Sequence, residues 1–110
     1  MAEGWRAYLV RCADGSLYCG ASNDVAARLD RHRSGRGARY TRAHRAVELA
    51  WRSSPLPKRL ALSMEARIKR LPRADKLRIA AGRGRPIIRR LLAAGRQAVG
   101  VRGRSPCSKS

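Results

Sequence analysis

Two tyrosines, an arginine, a histidine and one isolated carboxylate are the residues of this chain whose types and order could do chemistry. Tyr8 and Tyr18 lie in Ala7-Tyr8-Leu9-Val10-Arg11 and Leu17-Tyr18-Cys19-Gly20-Ala21, two strand-like runs on either side of Asp14-Gly15. That pattern predicts a β-hairpin. Arg28 and His32 follow one turn apart on a predicted helix, and Glu65 is the only acid between Glu48 and Asp75. Hydrolysis of a phosphodiester asks for a base on the attacking water, cations against the developing charge, and help for the leaving oxygen. A histidine can serve as base or phosphate contact. A lone carboxylate binds Mg²⁺ weakly by itself, yet phosphate oxygens and waters can complete an octahedron.

Each residue also has a plainer use. Aromatics are ordinary strand residues, and an arginine in an arginine-rich chain is by default a solvated charge. His32 continues the apolar stripe of Val25 and Leu29, which suits a packed, hydrogen-bonded histidine. Glu65 can pair with Lys69 four residues on, worth only ~0.3–0.5 kcal/mol at a surface. The ordered combination argues for chemistry; no single member does.

The combination resembles the GIY-YIG nuclease family, whose motif tyrosines fall on Tyr8 and Tyr18. Arg11-Cys12-Ala13-Asp14-Gly15-Ser16-Leu17-Tyr18 and Ser34-Gly35-Arg36-Gly37-Ala38-Arg39-Tyr40-Thr41 are similar to its small stand-alone bacterial branch. That branch is related to the nuclease module of the excision-repair incision subunit, a link to DNA repair. The likeness runs from about Trp5 to Gly82. It implies that a tyrosine hydroxyl positions or deprotonates water, that Arg28 stabilises the transition state, and that Glu65 holds a divalent metal, Mg²⁺ or Mn²⁺. The first motif here reads Arg6-Ala7-Tyr8, without the family's Gly and Ile, and Cys19 stands in place of Ile. The tyrosines and Gly20 remain.

Parity supplies a test. Strand side chains alternate faces, so a two-residue Asp14-Gly15 loop would send the tyrosines to opposite sides of the sheet. A three-residue loop, Asp14 to Ser16, or a bulge would bring them to one side. The catalytic reading requires an odd loop or a bulge.

The elements that must hold these groups follow from local signals. Ser22-Asn23-Asp24 caps a helix from about Asp24 to Ser34, ended by Gly35 and Gly37. Val47 to Trp51 is a third strand. Pro57 opens a helix with Leu60, Met64, Ile68 and Leu71 on one seam; Pro72 breaks it, and Arg73 to Ala81 is a further helix stopped by Gly82. The expected fold is α/β: a small three-stranded antiparallel sheet flanked by helices, ββ-α-β-α-α, over residues 1–82. Residues 83–110 form a basic C-terminal extension with eight cations and no acid. Within it Pro86 to Ala94 is a candidate helix stopped by Gly95, with disorder expected from Val99.

Lys and Arg number 26 against 7 acids, a net charge of +19. A polyanion is the expected partner, DNA first, with RNA also compatible. Arg33, Arg36, Arg39, Arg42 and Arg45 recur every three residues. Arg36, Arg39, Arg42 and Lys69 are candidate phosphate contacts, with Tyr40 available to stack on an exposed base. The rival reading is a non-catalytic basic DNA- or RNA-binding protein, which the charge supports equally; a partner protein that supplies substrate grip is a third. Cys12, Cys19 and Cys107 fit no zinc spacing and suit a reducing compartment. No apolar run approaches the ~20 residues of a membrane span, and the N-terminus lacks a signal peptide's apolar segment. A cytoplasmic, monomeric endonuclease acting on single-stranded or distorted DNA is the expectation.

Overall fold

In the computed structural model, which describes residues 4–34 and 46–100, β1 (Arg6–Cys12) and β2 (Leu17–Ser22) form the predicted hairpin. Its loop is Ala13-Asp14-Gly15, one residue earlier than the Asp14–Ser16 version expected, and equally odd. The Gly15 N–H bonds the Cys12 carbonyl at 2.9 Å and the Cys12 N–H bonds the Ser16 carbonyl at 2.9 Å. Gly15 takes φ +86°, left-handed backbone that a side chain would strain. Asp14 Oδ1 accepts from the Ser16 N–H at 3.0 Å and locks the turn. The register that results sets Tyr8 opposite Gly20 and Val10 opposite Tyr18. Directly opposite residues share a face, so both tyrosines project to one side of the sheet.

The third strand, β3 (Ala46–Arg52), pairs with β1, giving an antiparallel sheet of order β2-β1-β3. Leu9 faces Trp51 while Val10 faces Leu49, which leaves Ala50 as an extra residue. This bulge sends Leu49 to the tyrosine face and Trp51, only two residues on, to the other.

Helix α1 (Val25–Arg33) covers the tyrosine face. Asp24 is its N-cap, accepting from the Ala27 N–H at 3.1 Å, and Val25 packs with Tyr8 and Val10. The opposite face is the larger core. Ala7, Leu9, Cys19 and Ala21 meet Ala61, Met64 and Ile68 of α2 (Lys58–Lys69). Pro57 and Pro72 sit at the N-caps of α2 and of α3 (Arg73–Ala80). Helix α3 ends as expected at Gly82, whose φ is +82°. There the Arg83 N–H bonds the Arg78 carbonyl and the Gly82 N–H bonds that of Ile79, a Schellman termination.

The C-terminal helix departs from expectation. Helix α4 runs Arg85–Gly100, through Gly95 rather than stopping at it. A Cβ on Gly95 would lie 3.0 Å from Ser63 Oγ and 3.3 Å from Leu60 Cδ2. The glycine is there because α4 crosses close to α2, and tertiary contact overrides its weak helix propensity. Ile87 is buried in the same core as Ile68 and Ile79, with Ile88, Leu91 and Leu92 packed against it. Residues 85–100 are thus a helical part of the fold, and residues 101–110 of the predicted extension lie outside the described residues. No helix among the described residues is long and apolar enough to cross a membrane.

Candidate active site

Tyr8 and His32 form the centre of the site. The Tyr8 hydroxyl and His32 Nε2 share a buried hydrogen bond of 3.1 Å, and each residue is 2% exposed. Tyr18 adds its ring edge-on to the same imidazole, with centroids 5.4 Å apart. One histidine therefore touches both tyrosines that the hairpin brings to this face. The stripe Val25, Leu29, His32 turns inward as its spacing predicts, Val25 and His32 buried and Leu29 half-buried.

Gly20 makes this packing possible. It lies opposite Tyr8, and a Cβ there would fall 2.6 Å from Tyr8 Cζ, closer still to the hydroxyl. The ring of Tyr8 crosses bare backbone on its way to His32.

Burial sets the protonation states. It pushes the Tyr8 phenol well above the usual tyrosine range; Arg28 opposes this, while Tyr18 and Glu65 add to it. Burial, then the charges of Arg28 and Arg31, hold His32 below the ordinary imidazole value. At neutral pH the pair is a protonated phenol beside a neutral imidazole. Arg28 itself is exposed on α1, close enough to act on both groups electrostatically.

Glu65 comes from the other side. It sits on α2, which packs against the core face, and reaches the site around the β2 edge of the sheet. The Cys19 thiol, next in sequence to Tyr18, contacts the Glu65 carbonyl at 3.8 Å and ties α2 to that edge. Cys19 is 4% exposed, and burial followed by the charge of Glu65 pushes its thiol up to about 12. It is a packing residue, filling the place of the family's isoleucine.

The Glu65 side chain is 20% exposed and pairs with Lys69, Nζ to Oε2 3.1 Å. Burial works against the Lys69 ammonium, but the hydrogen bond and charge of Glu65 outweigh it and raise the Lys69 pKa. Tyr18 also acts on Lys69 electrostatically, as Glu65 does on Tyr8, so the pair lies within electrostatic reach of both tyrosines. No cluster of three or more His, Cys, Asp or Glu side chains able to hold a metal ion occurs among the described residues. A single, partly exposed carboxylate fits a divalent ion that keeps its waters and shares a phosphate oxygen, the coordination Mg²⁺ favours.

Tyr8, Tyr18 and His32 thus meet directly, Arg28 and Glu65 act on Tyr8 through their charges, and Lys69 holds Glu65. Arg36, Arg39, Tyr40 and Arg42 lie outside the described residues. Two cations escape the sequence reading. Arg31, beside His32 in sequence, depresses its pKa, and nothing distinguishes it there from other arginines. Lys76, from α3, acts electrostatically on Cys19; Pro72 interrupts the helical spacing that would have linked it to Lys69.

Comparison with known proteins identifies the family of the chain. The family described as the GIY-YIG catalytic domain matches residues 4–78. A UPF0213 protein of Bacillus pumilus is 49% identical over 69 residues, 63% of this chain and 70% of its own. One from Vibrio cholerae is 45% identical over 83 residues, 74% of this chain and 81% of its own. A UPF0213 protein of Bacillus halodurans, solved by solution NMR, is 34% identical, covers 76% of this chain and 88% of its own, and superposes with a TM-score of 0.46. Matched from the first strand to within α3, and 45–49% identical to bacterial UPF0213 proteins over 63–74% of its length, this chain belongs to the GIY-YIG family.

Proposed function

We propose that this protein is a divalent-metal-dependent endonuclease that hydrolyses DNA phosphodiester bonds, leaving 3′-hydroxyl and 5′-phosphate ends. The observation that carries the reading is the Tyr8–His32 hydrogen bond with Tyr18 against the same imidazole. A buried phenol and a depressed imidazole held together are a proton path, and a protein that only grips phosphates has no use for one.

Tyr8 keeps its proton in the free protein and donates it to His32 Nε2. Its remaining lone pair is then the acceptor for an attacking water. As that water's oxygen bonds to phosphorus, its proton passes to Tyr8 and the phenol proton moves on to His32, so no free phenolate forms. Arg28, exposed on α1 and close enough to act on the pair electrostatically, faces the charge developing on the phosphate. The P–O3′ bond breaks in line with the attack, and the departing oxygen takes a proton from solvent. Glu65 would hold Mg²⁺ or Mn²⁺, which supplies charge neutralisation at the phosphate and the leaving oxygen. Lys69 occupies that carboxylate in the free protein and becomes available to a phosphate when Glu65 turns to a metal.

The test pairs wild type with Glu65→Gln on labelled single- and double-stranded DNA, with Mg²⁺, Mn²⁺ or EDTA. The substitution is nearly isosteric, so fold and charge-driven binding should persist. Cleavage should fall ~10²–10³-fold, the usual cost of one essential electrostatic contact. Cleavage within a few-fold of wild type would reject Glu65 as metal ligand. Binding without cleavage in the wild type under every condition would favour the plain DNA-binding protein.

A further inference from the structure

At the edge of the sheet away from β2, a groove of about 470 Å³ opens between the end of β3 and α4. Trp51, Ile88 and Leu92 form its apolar wall, and Arg85 is among the residues lining it. None of these belongs to the site described above. Trp51 stands opposite Leu9, on the face of the large core, whereas Tyr8 points to the other side. The sheet therefore separates groove from reaction centre.

The lining selects a ligand class. Trp51 is half-buried, Arg85 is exposed, and no acid lines the groove. Arg85 takes part in no ion pair among the described residues, so it is available to an anion. Arg89, one turn beyond Arg85, and Arg96 two turns further are also exposed, and extend a cationic stripe along α4 away from the groove. An indole at the end of a row of guanidinium groups matches a ligand with a flat π face and a regular chain of negative charges. A purely apolar peptide would leave the arginines unanswered, and a paired duplex would keep its bases stacked inside.

We infer that this groove is a second nucleic-acid site, in which Trp51 stacks an unpaired base and Arg85 holds a flanking phosphate, with the α4 stripe carrying the strand onward. The inference rests on the nuclease reading only in taking nucleic acid as the ligand. Base stacking on an aromatic ring is tolerant of sequence, so the groove anchors a strand without choosing among bases.

The experiment uses the full chain with Trp5→Phe, leaving Trp51 as the only tryptophan of the two present. Titration with a fluorescein-labelled 15-nucleotide oligo-dT in EDTA reads binding by anisotropy, and an unlabelled copy reads Trp51 emission. Oligo-dT should quench Trp51, and a blunt hairpin duplex of equal charge should not. Trp51→Leu should weaken oligo-dT binding about tenfold, within the range of one lost stacking contact. Arg85→Glu, a surface change that leaves the core intact, should weaken it comparably and flatten its salt dependence. Anisotropy that reports binding while Trp51 emission stays constant would overturn the inference, as would equal quenching by poly-glutamate. Because no metal is present, the two readings fail separately. Quenching without cleavage in Mg²⁺ would count against the nuclease reading alone, and cleavage without quenching against the groove alone.

Discussion

The two faces of the sheet are built to different standards. On one, Ala7, Leu9, Cys19 and Ala21 interlock with α2 and α4 in a wide apolar core that also takes in Ile68, Ile79 and Ile87. On the other, the buried cluster among the described residues is Tyr8, Val10 and Val25, with Leu29 and Leu49 at its margin and a hydrogen-bonded histidine inside it. The first face holds the fold; the second spends burial on two titratable groups. Dry packing costs a tyrosine and a histidine little when each satisfies the other, and it moves their pKa values in opposite directions. The core face can thus absorb the stability that the tyrosine face forgoes, and Glu65 reaches the chemistry from the stable side.

Tyr8→Phe tests that division with the largest expected effect. It removes the hydroxyl and keeps the ring over Gly20. Cleavage should drop ~10²–10⁴-fold, the range of a lost general acid–base contact. Stability should change by only ~1–3 kcal/mol, because His32 is left with an unsatisfied nitrogen. Cleavage kinetics beside urea unfolding separates the two, and a loss of activity that merely follows a loss of fold would abolish the distinction between faces.

The pH dependence belongs to the same pair. The folded pKa of His32 lies below its ordinary 6.5, so the unfolded chain binds the proton more readily. Stability from this group is full above about pH 6.5 and is lost as pH falls through the depressed folded value. Cleavage should follow the same sign, holding its plateau below pH 6.5 and then declining as Nε2 becomes protonated. Arg28, Arg31 and both tyrosines surround the ring, so Arg31→Gln should shift this limb to higher pH. An unmoved limb would mean that another group titrates.

Much of the tyrosine face is legible in the sequence because its signals are local. Hairpin parity depends on loop length, and the three-residue loop Ala13-Asp14-Gly15, locked by Asp14 and left-handed at Gly15, brings the tyrosines together. Asp24 caps α1, and the Val25/Leu29/His32 spacing gives the inward stripe. The core face is less legible because its decisions are made between elements. The bulge at Ala50, which parts Leu49 from Trp51, answers to pairing with β1 and has no marker of its own. Gly95 has the look of a helix stop, yet its meaning depends on Ser63 and Leu60 of a helix thirty residues earlier. The Glu65–Lys69 pair is visible as an i,i+4 spacing. Its electrostatic reach to the tyrosines depends on the Cys19 contact that fixes α2 on the β2 edge.

Gly20→Ala probes the seam between the faces, with an intermediate effect. The added methyl would collide with the Tyr8 ring, which has backbone on one side and His32 on the other. Overpacking of this kind costs ~1–3 kcal/mol. Because the strain falls on the Tyr8–His32 bond, cleavage per folded molecule should fall as well. An alanine variant that keeps full activity would show that Tyr8 can shift without consequence, and that the 3.1 Å bond is not essential.

Gly95→Ala is the smallest effect and the cleanest control on the core face. In mid-helix, alanine is favoured over glycine by ~1 kcal/mol. Against this, the new Cβ would sit 3.0 Å from Ser63 Oγ and 3.3 Å from Leu60 Cδ2. Ser63 accepts from Arg67 Nε at 3.2 Å, a half-buried bond that a rotation of the hydroxyl would break. Gain and cost are of similar size, so unfolding free energy should change by less than ~1 kcal/mol, with cleavage unaltered because α4 does not touch the tyrosine face. Gly95→Leu separates the terms: the propensity gain is nearly the same, but the larger side chain must push α4 away from α2. If leucine is tolerated as well as alanine, the close crossing at Gly95 contributes nothing to stability, and α4 is a lid on the core rather than part of it.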